Sequence, residues 1–128
     1  MEKEFIPYDL ALRMKALGFD EPCFGAFYDD GKLFIHWNDN VDADELFISQ
    51  EKCEYYDYEC LAPTWQSAFR WFREKYKFYA SVVHMNKKNA FYITVYGEEK
   101  IEFYFDTYEE AEIACLTKLI EIVESKTE

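Results

Sequence analysis

Tyr79-Ala80-Ser81-Val82-Val83-His84-Met85-Asn86-Lys87-Lys88-Asn89-Ala90-Phe91-Tyr92-Ile93-Thr94-Val95-Tyr96-Gly97-Glu98-Glu99-Lys100-Ile101-Glu102-Phe103-Tyr104-Phe105 is a run of β-branched and aromatic residues broken twice by short polar clusters. Such residues fit a pleated surface, and the two interruptions have turn composition. The run predicts three antiparallel strands over 79–85, 90–96 and 101–105. In the second, Phe91, Ile93 and Val95 alternate with Tyr92, Thr94 and Tyr96; in the third, Ile101, Phe103 and Phe105 alternate with Glu102 and Tyr104. A period of two predicts one buried face and one face that is aromatic but polar-tipped. The buried face then needs helices to cover it.

Both flanks of the meander supply them. Downstream, Thr107-Tyr108-Glu109-Glu110 has the form of a capping box, and a helix of about four turns follows with Ala111, Cys115, Leu119 and Ile122 on its apolar side. Upstream, Pro63 and Thr64 open a helix in which Trp65, Phe69, Phe72 and Tyr76 form one stripe. Arg70, Arg73 and Lys77 form a second, basic stripe on the same helix.

Further toward the N-terminus, Pro7 starts a short amphipathic helix over 7–17 carrying Leu10, Met14 and Leu17, and Gly18 closes it. Asp29-Asp30-Gly31 then lies between two apolar runs and predicts a hairpin. Leu33, Ile35 and Trp37 should face one way, and Lys32, Phe34 and His36 the other. Residues 38–61 read as an acidic insert: a loop-like start, a short strand at Leu46-Phe47-Ile48, then acids mixed with Tyr55, Tyr56 and Tyr58. The expected architecture is a single α+β domain. Its antiparallel sheet has about five strands, made of the hairpin and the three-stranded meander, with three helices mainly on one face. Each half leads from a proline-opened helix into antiparallel strands, as a diverged α-β-β duplication would.

Composition sets the class. A chain of 128 residues is long enough for one domain with its own core. Half the residues are hydrophobic and a fifth aromatic, so the chain folds despite a net charge of −12 from 14 Lys and Arg against 26 Asp and Glu. The first residues form neither a basic nor an apolar leader, and no apolar run is long enough to span a membrane, so a soluble, cytoplasmic protein is expected. Cys23, Cys53, Cys60 and Cys115 are expected to be reduced. An acidic excess of this size opposes binding to phosphate backbones, so no direct nucleic-acid binding is expected. The charge is unevenly placed. Residues 38–61 hold eight acids against Lys52 alone, 64–90 six cations against Glu74 alone, and 98–128 ten acids against three lysines. The basic middle either complements neighbouring elements or offers a separate face to a partner.

No recognised catalytic pattern emerges. His36 and His84 sit in expected strands, without a ligand-type residue two positions away on the same face, and read as structural. Cys53 and Cys60 are too widely spaced for a zinc pair, and no nucleophile turn accompanies any cysteine. Asp39, Asp42, Asp44 and Glu45 invite a calcium reading. Counted from Asn38, however, the sixth residue is Ala43 and the twelfth Ser49, where an EF-hand needs Gly and Glu. No Walker loop, dinucleotide fingerprint, zincin helix or nucleophile elbow occurs. No metal and no cofactor are expected.

The segments Leu61-Ala62-Pro63-Thr64-Trp65-Gln66-Ser67-Ala68-Phe69-Arg70-Trp71-Phe72-Arg73-Glu74-Lys75, Phe105-Asp106-Thr107-Tyr108-Glu109-Glu110-Ala111-Glu112 and Gly18-Phe19-Asp20-Glu21-Pro22-Cys23-Phe24-Gly25 resemble small uncharacterised proteins of gut-bacterial phages and integrated mobile elements. The resemblance implies an accessory gene product and brings no catalytic residue with it. The functional expectation is a non-catalytic protein that binds a host or phage protein through Asp39, Asp42, Asp44, Glu45, Tyr55, Tyr56 and Tyr58, presenting carboxylates where the partner expects phosphates. The alternative is a small-ligand or nucleotide-binding domain in which Arg70, Arg73 and Lys77 meet an anion and Trp71 stacks near it. An exposed edge strand would also allow two copies to pair as a homodimer.

Overall fold

The structure, a computed structural model, describes residues 2–35, 47–85, 90–96 and 104–126. Its elements are α1 (Tyr8–Ala16), β1 (Gly25–Phe27), β2 (Leu33–Ile35), α2 (Gln50–Tyr55), β3 (Cys60–Ala62), α3 (Trp65–Tyr76), β4 (Tyr79–Met85), β5 (Ala90–Tyr96), β6 (Tyr104–Phe105) and α4 (Tyr108–Lys126). The class is α+β. The chain divides into two compact units, Met1–Ser67 and Ala68–Glu128, with the boundary inside α3.

Each unit has its own sheet, so the expected single sheet of about five strands is replaced by two of three, β2-β1-β3 and β4-β5-β6. The addition is β3, whose pairing with β1 brings Cys60 opposite Phe27 and Ala62 opposite Gly25. Hairpin signals are local and were readable; β3 pairs with β1 across the 32 positions between Phe27 and Cys60, which no local pattern reports. The sheets also differ in order. The first strand is central in one and the second strand in the other, because the third strand joins β1 in the first sheet and β5 in the second.

In the first unit, α1 ends in a Schellman motif. Gly18 has φ 98°, its N–H reaches the Lys15 carbonyl at 3.0 Å, and the Phe19 N–H reaches the Met14 carbonyl at 3.0 Å. Met14 and Phe19, the apolar pair that accompanies such a cap, are both buried. Leu10, Ala11 and Met14 face the core, where α1 packs on β3 beside Phe27, Ile48, Cys53 and Leu61. The N-terminal strand-like residues close the unit. Ile6 N–H bonds the Pro63 carbonyl at 3.1 Å and Trp65 Nε1 donates to the Lys3 carbonyl at 3.1 Å. Gly25 is required by close approach: a Cβ there would stand 2.9 Å from the Phe34 carbonyl oxygen on the neighbouring strand. Residues 47–61 are not an insert. Ile48 pairs with Cys23, and Ile48, Cys53, Cys60 and Leu61 are core.

In the second unit, the long β4–β5 ladder runs in register from Tyr79 opposite Tyr96 to Met85 opposite Ala90. The expected alternation holds for Phe91, Ile93, Tyr104 and Phe105 but not for Thr94, which is buried on the opposite face, its hydroxyl 2.9 Å from that of Ser81. Phe91, Ile93 and Phe105 join Ala80 and Val82 against Ala111, Ala114 and Cys115 of α4 and Phe69 of α3. Tyr104, on the opposite parity, is 62 % exposed. The Thr107 hydroxyl accepts from the Glu110 N–H at 3.1 Å, as the capping box predicts. The buried face of α4 is broader than a single stripe. It takes Ala111, Cys115, Leu116, Leu119, Ile120 and Val123, and Ile122, expected inside, is only half-buried at its edge. Ile101, Phe103, both meander turns and residues 36–46 lie outside the described residues.

Candidate functional site

The site is assembled by the connection from α2 into β3. The Ser49 hydroxyl caps α2 by accepting from the Lys52 N–H at 3.1 Å, and Cys53 points inward. Two closing bonds end the helix: Asp57 N–H to the Glu54 carbonyl at 3.3 Å and Tyr58 N–H to the Cys53 carbonyl at 2.9 Å. Asp57 itself has φ 58°, the left-handed residue of this second Schellman motif. The chain reverses there, and the Glu59 N–H bonds the Phe27 carbonyl at 2.8 Å, which docks the segment beside β1.

That reversal places Tyr58 against the hairpin. Its ring stacks on Phe34 (5.5 Å, 18°) and meets Tyr28 edge-on (5.3 Å, 68°), while Tyr28 also contacts Phe34 at 6.2 Å. On the other side Tyr58 lies 6.0 Å from Tyr56, and Tyr56 makes a near-perpendicular pair with Tyr55 (4.9 Å, 84°). Five rings from two separate parts of the sequence thus form one connected run. Exposure is greatest at one end, 60 % at Tyr56 and 79 % at Tyr55, against 39 % at Tyr28 and half-burial at Tyr58 and Phe34. The inner end is more covered: partial burial, the neighbouring tyrosines and a hydrogen bond with Tyr28 raise the Tyr58 hydroxyl above its ordinary value.

Carboxylates border the rings. Glu51, Glu54 and Asp57 are exposed on α2 and its cap, and Asp29 and Asp30 are exposed at the hairpin tip. The Tyr8 hydroxyl donates to the Asp29 carbonyl at 3.4 Å; desolvation, with Glu59, Asp29 and Asp30 nearby, raises it as well. Lys32 sits 3.8 Å from Asp30, with both groups largely solvated. Lys15 donates to the Glu59 carbonyl at 2.6 Å. The acids on the α2 side have only Lys52 in their own segment.

Of the expected partner-binding residues, the structure brings Tyr55, Tyr56 and Tyr58 together. Asp39, Asp42, Asp44 and Glu45 lie outside the described residues, as does His36. Sequence reading missed Tyr28 and Phe34, because only the β1–β3 pairing carries them to Tyr58. The alternative set behaves differently. Arg70, Arg73 and Lys77 are exposed, but Trp71 is 4 % exposed, in edge contact with Phe72 (5.0 Å) and Tyr76 (5.5 Å), and the Lys75 ammonium lies 4.9 Å from its ring centre. A stacking ligand would have to displace those neighbours. His84 contacts Phe91 at 5.0 Å within the β4–β5 ladder, as a sheet histidine.

Other chemistry has little material here. Among the described residues no group of three or more His, Cys, Asp and Glu side chains is placed to hold a metal ion, and no helix is long and apolar enough to cross a membrane. All four cysteines are buried free thiols. Burial pushes Cys60 and Cys115 up to about 12, helped by Cys53 and Glu112 respectively, and raises Cys23 and Cys53 too. These are the opposite of activated nucleophiles. A concavity of about 530 Å³ beside the hairpin is walled by Phe5, Ile6, Pro7, Phe27 and Leu33, and its ionisable lining group, Lys32, already faces Asp30. Compared with known proteins, the chain matches no family model, no curated protein and no solved structure.

Proposed function

We propose that this is a non-catalytic interaction protein that binds a protein partner through the acidic, tyrosine-bearing surface of its first unit. The reading includes service as an accessory product of a phage or mobile element, in the cytoplasm, with carboxylates standing where the partner otherwise meets phosphates. One observation carries it: the five-ring run from Phe34 to Tyr55, whose outer members are 60 % and 79 % exposed and interleave with carboxylates. Leaving such area in water gains nothing for folding, whereas tyrosine gives a partner large rigid contact at low entropic cost. The buried thiols and the walled-in Trp71 offer less to a substrate or nucleotide.

The test compares the wild-type chain with a Tyr55→Ala/Tyr56→Ala variant in affinity capture from host lysate, at low and high salt. The reading expects one stoichiometric, salt-sensitive protein that the variant fails to hold. Equal retention by the variant would remove this surface from the function.

A further inference from the structure

We propose that β4 takes up an extended segment of a partner protein as an added outer strand, and that this segment carries acids at both ends of an uncharged, alternating middle. The proposal goes beyond the functional reading above and concerns a surface of the second unit. Its basis is an unguarded sheet edge. Among the described residues β4 pairs with β5 alone, in an unbroken register of seven residues, which leaves its other side without a strand. Tyr79, Ser81 and His84 are exposed, and Ala80, Val82 and Val83 are half-buried.

Sheet edges are ordinarily blunted by brevity, proline, a bulge or a charge. The edge strand of the first unit's sheet follows that rule: β2 has three residues and begins directly after Lys32. Tyr79-Ala80-Ser81-Val82-Val83-His84-Met85 has none of these devices. Seven residues offer about 23 Å of ladder, along which a partner gains main-chain hydrogen bonds.

The pleat specifies the middle of the segment. Ala80 and Val82 pack with Ile93 of β5 against Ala111 and Cys115 of α4, so partner side chains on that face extend an apolar layer. On the face that carries Tyr79, the Ser81 and Thr94 hydroxyls lie 2.9 Å apart and suit hydroxyl-bearing neighbours.

Charge specifies the ends and selects against a second copy. Arg73, Lys75 and Lys77 come just before β4, and Lys87 and Lys88 just after it in sequence. Arg73 and Lys77 are exposed, and among the described residues neither is in an ion pair. Two β4 strands paired antiparallel bring the Lys77 end of each copy to the Lys87-Lys88 end of the other; paired parallel, they bring like ends together. Both arrangements set cation against cation, which destabilises a strand pair. A segment with Asp or Glu at each end reverses the sign. The second unit, with nine cations against eleven acids, is near enough to neutral for those local charges to decide.

The experiment titrates the full chain with an acetylated, amidated peptide, Asp-Glu-Thr-Val-Thr-Val-Thr-Val-Thr-Glu-Asp. Binding is followed by calorimetry and by amide hydrogen exchange over 79–85, at about 0.05 and 0.3 M salt. Comparison peptides carry Lys for the four acids, or N-methyl groups at the Thr or at the Val positions. The first peptide is expected to bind saturably and at least about fivefold tighter than its Lys counterpart. One of the two N-methylated peptides, the one blocked on its pairing edge, loses binding and the other keeps it. The β4 amides that point away from β5 exchange fast in the free chain and are protected in the complex. Lys77→Gln/Lys87→Gln/Lys88→Gln should lower the affinity about fivefold and flatten its salt dependence. The proposal is overturned by no binding of the first peptide, by equal binding of the Lys peptide or of both N-methylated ones, or by binding that leaves β4 exchange unchanged. So does concentration-dependent protection of β4 in the free chain overturn it, since the occupant would then be a second copy. The tyrosine surface is tested separately, by lysate capture.

Discussion

Among the described residues, two non-glycine positions hold left-handed backbone, Asp57 at φ 58° and Lys77 at φ 61°, both just past a helix. An L side chain costs about 1 kcal/mol there, less for Asp, which tolerates the region. Lys77→Gly is expected to raise stability by about 1 kcal/mol and Asp57→Gly by less, whereas Gly25→Ala should lower it by about 1–3 kcal/mol because its Cβ meets a backbone oxygen. Urea denaturation of the three variants checks the order and the signs. The thiols give a second prediction. A thiol raised by burial stays protonated in the folded chain while the unfolded chain ionises, so its stabilisation is complete below about pH 8.5 and is lost as pH rises toward 12 for Cys60 and Cys115. Stability should therefore fall above about pH 9 by up to about 1.4 kcal/mol per pH unit for each such proton. Cys115→Ala should remove one proton's worth of that slope in denaturation curves taken across the range. A thiol reagent at neutral pH should label the chain only when it unfolds.

Elements that announce themselves locally were readable from sequence, and those made by distant pairing were not. The Thr107 capping box, the closing Gly18 and the Asp29-Asp30-Gly31 hairpin each depend on residues within a few positions, and each is found where local chemistry puts it. Residues 50–62 resisted because their pattern is short. A six-residue helix shows less than two full turns of periodicity, and Cys60–Ala62 is buried on both sides as a central segment would be, leaving no alternation to read. The same cause hid half of the candidate site. Tyr55, Tyr56 and Tyr58 stand out by composition, but Tyr28 and Phe34 join them only through the Glu59–Phe27 bond and the β1–β3 ladder. Trp71 shows the reverse. Its position off the main stripe of α3 pointed to a ligand, yet the helix buries a face wide enough to include it. Thr107→Ala is the direct test of an element-scale claim: losing the hydroxyl that accepts from Glu110 should cost about 1 kcal/mol, measured by thermal unfolding, with Thr107→Ser close to wild type.

Charge acts over the whole molecule. Of the net −12, the first unit carries fifteen acids against five cations, so its surface repels itself as well as phosphate. Screening relieves that repulsion: the midpoint of thermal unfolding should rise between about 0.01 and 0.15 M salt, and a fall would show that favourable ion pairs dominate instead. The same excess turns an aromatic patch into a selective one, because a partner must bring positive charge to approach it. Exposed tyrosine alone does not define the site, since Tyr79 and Tyr104 of the second unit are 53 % and 62 % exposed. The decisive measurement uses that contrast. A photo-crosslinking phenylalanine analogue is placed at position 55, and in a separate chain at 104, then irradiated in host cells. The account predicts a discrete protein adduct from position 55 and none from 104. The same adduct from both positions, or an adduct from 104 alone, would contradict it.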